Sequence, residues 1–296
     1  MKQMLRMAAV CIGLLLVIAL PVSATEYGAP EITPKTTMKQ LRENPSIKGS
    51  GLYTYVYIWE RDCDLLRHSK DNDTMEQVIG TESVNSCVAG MNYLIETYNA
   101  GTQITYKLYY FPAEQPGAKY AVVLSGNALF YSGEMRGGVS TAWELHQQGY
   151  AVFALRYRIG LDATDNAPLE DLGRAIQFIT ANAQQFGVQT EDYALVGYSS
   201  GGQIAGIFGG KELGYPNYGV PKPGALLLAY PINNFYETKP LYHVLLDTDA
   251  LERRYYDYNI SDCVDADYPP TYFWYGQDDI LLIAFNYWQQ GPALRK

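Results

Sequence analysis

From Thr102 onward, short apolar runs alternate with stretches of helical period, and this alternation limits the possible folds more than any other feature of the chain. Residues 102–110 alternate as a strand does. Residues 120–126 (YAVVLSG), 151–157 (AVFALRY), 193–197 (YALVG), 224–231 (GALLLAYP) and 271–276 (TYFWYG) are apolar runs of strand length. Between them, residues 138–149 have helical character, with Ala142, Trp143 and Leu145 as candidate buried positions. Residues 168–186 place Leu169, Leu172, Ala175, Ile176 and Ile179 at helical spacing, with Pro168 near the helix start, and a further helix spans residues 203–208. Apolar strands separated by helices predict an α/β fold, a mostly parallel sheet covered on both faces.

The chain ahead of this pattern is of a different kind. Lys2 and Arg6 precede an apolar stretch over residues 7–20, then Pro21 and Val22-Ser23-Ala24. A basic start, an apolar middle and a small-residue end predict a cleaved signal peptide over residues 1–24. An uncleaved membrane anchor is the alternative, but fourteen apolar residues fall short of the roughly 20 a spanning helix needs. Residues 25–50 are rich in Pro, Thr and Gly, which predicts a loose lead-in, and residues 76–100 predict one helix. No internal repeat is evident. The expected division is a signal peptide, a lead-in and cap-like segment over residues 25–101, and a core over 102–296. Residues 233–270, Tyr-rich and acidic, interrupt the core as an insertion, either a lid or rim or a surface loop.

Composition narrows the function classes. With 48% hydrophobic and 18% charged residues the chain can bury a sizeable core. Removing the two basic residues of the signal takes the net charge from −9 to −11. An acidic surface without a basic run repels phosphate backbones, so nucleic acid is not an expected partner. Nor is stable membrane association expected once the signal is cleaved. His68, His146 and His243 lie far apart without ligand spacing, and the cysteines match no zinc pattern, so no metal or cofactor is expected. Export would permit a disulfide between Cys63 and Cys87.

The chemistry centres on Gly197-Tyr198-Ser199-Ser200-Gly201, a G-x-S-x-G pentapeptide between a strand and a helix. Glycines at its two ends allow a tight turn that would clash with side chains there. Such a turn lifts Ser199 Oγ above the carboxyl edge of the sheet, and the following helix aims its first amides at the same point. The pentapeptide alone is a weak signal, and it could mark a packing turn. The strand before it and the helix after it are the context that makes Ser199 a candidate nucleophile.

From about Thr102 the chain resembles an α/β-hydrolase of the esterase/lipase branch, including its acetyl-xylan-esterase-like members. The stretches VVLSGNALF, GYAVFALRYR and LEDLGRAIQFI fall in the order that family uses, across roughly 190 residues. The resemblance implies that VVLSGNALF holds the oxyanion loop, although Ser125-Gly126-Asn127-Ala128 stands in place of the family's His-Gly-Gly-Gly. The implied oxyanion donors are the Ser200 amide and the amide of Asn127 or Ala128; the alternative is that SGNA is simply a turn. It implies an orienting acid in YGQDDILL after the strand at 271–276, with Asp279 first and Asp278 in reserve. The family's histidine follows its acid, and no histidine follows Asp279. The expectation is a chain truncated before the last strand and helix, with the histidine beyond residue 296 and an exposed sheet edge that lowers solubility. His243 in the insertion is an unusual substitute, and His146 is expected to be structural.

These readings predict an exported carboxylic-ester hydrolase working through an acyl-serine on a small or carbohydrate-linked ester. A non-catalytic binding protein on the same fold, or a serine peptidase of the same superfamily, are the alternatives.

Overall fold

The computed structural model describes residues 32–50, 71–102, 108–126, 134–159, 163, 165–233 and 258–276. The chain divides into two units, 1–30 and 31–296, and every described residue belongs to the second. Its centre is a six-stranded sheet: β1 (Leu108–Phe111), β2 (Tyr120–Leu124), β3 (Ala151–Leu155), β4 (Ala194–Tyr198), β5 (Ala225–Ala229) and β6 (Thr271–Trp274). The spatial order is β1-β3-β2-β4-β5-β6. β1 pairs antiparallel with β3, and every other pairing is parallel. This is the mostly parallel sheet the apolar runs predict.

Strand alternation divides the core between two faces. Tyr120, Val122 and Leu124 of β2, with Phe153 and Leu155 of β3, join one buried cluster, while Ala121, Val123, Val152 and Ala154 join the other. All five residues of β2 and of β3 are buried. Strands covered on both faces have no polar side to show, which is why these runs are apolar throughout.

Among the described residues the helices are α1 (Met38–Glu43), α2 (Pro45–Ser50), α3 (Met75–Ile79), α4 (Val84–Asn99), α5 (Ser140–Gln147), α6 (Ala167–Ala181), α7 (Ala183–Phe186), α8 (Ser200–Gly209) and α9 (Ile260–Cys263). Helix α6 starts with Pro168 in its first turn and buries Leu169, Leu172, Ile176 and Ile179, as their spacing predicts. Helix α8 is buried along its whole length, so its apolar residues need no single stripe. Helices α6 and α8 supply one face of the sheet, where Leu172, Ile176, Ile204 and Phe208 share a cluster. A π-helical segment, Glu134–Val139, runs directly into α5, so the helix expected over 138–149 is shorter and has an irregular entry.

The other face differs from expectation. Residues 25–50 are not loose where they are described: α1 and α2 form, and Ile32, Met38, Leu41 and Ile47 are buried with Met75, Met91, Leu94, Phe111 and Val196. The single helix expected over 76–100 is two, because Gly80 closes α3 at a φ of 95°, a conformation side-chain-bearing residues avoid. A small internal repeat that the sequence did not reveal organises this layer. Thr37-Met-Lys-Gln and Thr74-Met-Glu-Gln each make a capping box, with the Thr side chain bonded to the Gln amide and the Gln side chain to the Thr amide. The two caps meet in an antiparallel bridge at Thr37 and Thr74. Their bonds are reciprocal: Met38 N donates to Asp73 O at 2.8 Å and Met75 N to Thr36 O at 2.9 Å.

Of the insertion expected over 233–270, residues 234–257 lie outside the described residues. Its described ends are tied to the core. Ile260 N donates to Asn233 O at 3.0 Å, and the buried Gln203 of α8 donates to Tyr258 O at 2.8 Å. Cys87 is a free, buried thiol, and burial pushes it up to about 12. Its suggested partner, Cys63, lies outside the described residues.

Candidate functional site

Ser199 occupies the one-residue corner between β4 and α8. Its φ of 51° and ψ of −116° place a non-glycine residue in sparsely populated backbone space. The corner is held from several sides. Ser199 N donates to Ala229 O at the end of β5 at 2.9 Å, and Ser199 O accepts from Gln203 N at 3.0 Å and Ile232 N at 3.3 Å. The side chain is neither buried in the core nor fully exposed. A serine hydroxyl is thus presented at the carboxyl edge of a parallel sheet, where open α/β folds bind ligands.

The flanking glycines act through space rather than through their own dihedral angles. A Cβ on Gly197 would come within 2.5 Å of Gly201 O and Gly202 Cα, so α8 could not pack against the end of β4. A Cβ on Gly201 would come within 2.5 Å of Ser125 O, just past the end of β2. Neither glycine has positive φ; the positive φ of the corner falls on Ser199 itself. Gly126 closes the same space from the other side, where a Cβ would lie 2.8 Å from Ser199 Cβ and 2.7 Å from Tyr198 O.

Ser200 is the first residue of α8 and is fully buried. Amides in the first turn of a helix have no intrahelical acceptor, and together they attract negative charge. The Ser200 hydroxyl has no hydrogen-bond partner among the described residues.

Tyr198, preceding the serine, ties the corner to the opposite layer. Its hydroxyl lies 2.7 Å from Thr141 Oγ1 of α5, and its ring lies 3.6 Å from where a Cβ on Gly137 would stand. Tyr230, just after β5, has a φ of 36° and sets its ring 6.0 Å from that of Tyr198. On the far side of β2, Tyr157 donates to Ser125 O. Arg158 bonds Asp171 of α6 through its backbone amide at 2.8 Å and its Nε at 2.9 Å, and Glu170 at 2.9 Å. The bond from Asp171 chiefly, and that from Glu170, raise the guanidinium above its ordinary value against the opposing effect of burial. This network fastens the chain leaving β3 to the start of α6.

Among the sequence-predicted site residues, Ser199 and Ser200 stand together at this corner. Asn127 and Ala128 lie outside the described residues, as do Asp278, Asp279, His68 and His243. Because β4, β5 and β6 are parallel, the chain leaves β6 toward residue 276 at the same sheet edge that carries Ser199. His146 is the one histidine among the described residues. Its Nδ1 lies 2.8 Å from Pro112 O, and its ring packs against Tyr93, Phe111 and Trp143. It belongs to the layer that covers β1.

Tyr157 and Tyr198 were not singled out from the sequence. The signal available was a tyrosine at the end of an apolar run, whose hydroxyl needs a partner once buried.

Residues 108–214 match the BD-FAE family model. Endo-1,4-beta-xylanase B of Butyrivibrio fibrisolvens is 23% identical over 192 residues, which are 61% of this chain and 29% of that protein. A lipase/esterase from Lactobacillus plantarum superposes with a TM-score of 0.50 at 17% identity, over 58% of this chain and 74% of that one. An acetyl ester-xyloside bifunctional hydrolase from Caldicellulosiruptor lactoaceticus gives a TM-score of 0.47 at 20% identity, over 56% and 64%. The chain therefore spans under a third of the curated relative, and less than two thirds of that last structure. The mostly parallel sheet with the serine corner at its carboxyl edge is an α/β-hydrolase fold, and within it residues 108–214 match the BD-FAE family model.

Proposed function

We propose that the protein is a carboxylic-ester hydrolase in which Ser199 is the nucleophile. The observation that carries this reading is the strained, partly exposed serine between β4 and α8, with the first amides of a buried helix beside it. In the proposed reaction Ser199 Oγ attacks the ester carbonyl carbon and gives up its proton to a base. The carbonyl oxygen takes up the negative charge against the Ser200 amide and an amide from Asn127 or Ala128. Collapse of the intermediate expels the alcohol and leaves an acyl-serine, and water then releases the acid and restores the hydroxyl. Asp279, or Asp278, orients the base. The substrate is a small or carbohydrate-linked ester, a choice supported by the xylanase name of the curated relative. The reaction requires no metal or cofactor.

We further propose that the protein is exported by residues 1–24, on the sequence pattern alone. N-terminal sequencing of the protein recovered from culture medium should begin at Thr25. Recovery only from cells, with Met1 intact, would count against export.

The test of the activity is hydrolysis of a short-chain aryl ester beside Ser199→Ala. Loss of the hydroxyl should lower kcat by about 10³-fold or more. Equal rates would remove Ser199 from the chemistry. One observation favours a second reading, a non-catalytic binding protein: His146, the one histidine among the described residues, is held against Pro112 O and the rings of Tyr93, Phe111 and Trp143 in the layer that covers β1. An unmodified serine without a base is a weak nucleophile. Under that reading wild type and Ser199→Ala would both be inert toward esters.

A further inference from the structure

We propose that Tyr157 is a positioning residue for the ester-hydrolase chemistry, acting through the Ser125–Gly126 peptide. The proposal rests on the reading of Ser199 as nucleophile. Tyr157 follows β3, is buried, and directs its hydroxyl across to the carbonyl of Ser125, 32 residues earlier in the chain. Ser125 follows β2 directly, and its carbonyl, with that of Leu124, is one that a Cβ on Gly201 would strike. That carbonyl is therefore held between the first turn of α8 and the Tyr157 hydroxyl. The next residue, Gly126, lies against Ser199 Cβ. One peptide unit thus contacts the nucleophile on one side, and from it the chain enters residues 127 and 128, the proposed oxyanion donors.

An oxyanion donor stabilises the transition state only when its N–H points at the position the oxygen will occupy, and small misplacements cost rate steeply. Tyr157→Phe keeps the ring and its packing and removes only the hydroxyl. The Ser125 peptide would lose a buried donor and gain freedom to rotate. The interaction affected forms fully only in the transition state, so kcat should fall while KM holds.

Tyr110 provides the control. Its hydroxyl also donates to a backbone carbonyl, Phe186 O at 2.8 Å, but from β1 at the far edge of the sheet. Tyr110→Phe removes the same kind of bond without touching the serine corner. Both variants and the wild type would be assayed for kcat and KM on a short-chain aryl ester, well below their unfolding temperatures. The rate at which a fluorophosphonate, losing fluoride, attaches to Ser199 would be followed by intact mass. Tyr157→Phe should lose about 10- to 100-fold in both kcat and phosphonylation rate, with KM changed less than about twofold, while Tyr110→Phe matches wild type. Tyr157→Phe behaving like Tyr110→Phe, with wild type still labelled at Ser199, would overturn the positioning role and leave the nucleophile standing. A wild type that takes no phosphonate at Ser199 would bring down the hydrolase reading, and this proposal with it.

Discussion

Ser199 carries the strain of its corner in its own backbone, since the glycines on either side adopt ordinary φ and are small for reasons of contact. Strain of this kind amounts to about 1–3 kcal/mol and persists where surrounding bonds over-determine the chain. Here those bonds come from Ala229, Gln203 and Ile232. Ser199→Gly should therefore be more stable than wild type by about 1 kcal/mol, after allowing for glycine's greater freedom when unfolded. Under the proposed function it should also lose hydrolysis, a trade of stability against activity. Urea unfolding beside the ester assay measures both, and a destabilised glycine variant would show that the corner is not strained. Much at this scale was legible in the sequence. Ser199 and the two glycines could be named because a G-x-S-x-G turn is local. Tyr157 could not, because its partner is 32 residues away and nothing in ALRYR says where the hydroxyl points.

At the scale of elements, the strand and helix periods predicted β2 to β6, α6 and α8 closely, since both periods come from which faces are covered. The misses follow from local chemistry. Gly80 ends α3 where apolar spacing alone would continue the helix, and the capping box at Thr37 nucleates a short helix in a stretch that composition reads as loop. One junction between elements depends on charge. Lys211, beyond the end of α8, bonds Asp265 and Asp267 at 3.1 and 3.0 Å, and Lys222, before β5, bonds Asp267 at 2.8 Å. The bonds from Lys222 and then Lys211 hold the Asp267 carboxyl down at about 2, against an ordinary 3.8. A depressed carboxyl contributes stability above its unfolded value, and that contribution is lost as pH falls toward the folded one. Wild type should thus exceed Asp267→Asn in stability at neutral pH, with the gap closing between about pH 4 and pH 2. The pair is exposed, so the gap should be small and should shrink with salt. Denaturant melts across that pH range would show it, and a gap that widens toward acid would contradict the ion pairing.

For the molecule as a whole, the described N-terminal residues, 32–50 and 71–99, belong to the core. Leu94 and Met91 of α4 share a cluster with Phe111, Val123 and Val196 of the sheet, so the layer formed by residues 32–50 and 71–99 covers one face. Leu94→Ala should destabilise by about 2–5 kcal/mol, and the sheet and N-terminal layer should still unfold in one transition, since they share one buried cluster. Far- and near-ultraviolet dichroism monitored together would test this; a separate early transition of the N-terminal layer would refute it. The sequence by itself determined the α/β architecture, the parallel run of strands and the serine corner, because hydrophobic period and turn chemistry act between near neighbours. Only the tertiary structure decided that residues 32–50 and 71–99 form a layer of the core, that Cys87 is a buried free thiol, and which groups press against Ser199. Those outcomes depend on contacts between residues tens of positions apart, and a linear pattern holds no record of which distant surfaces will meet.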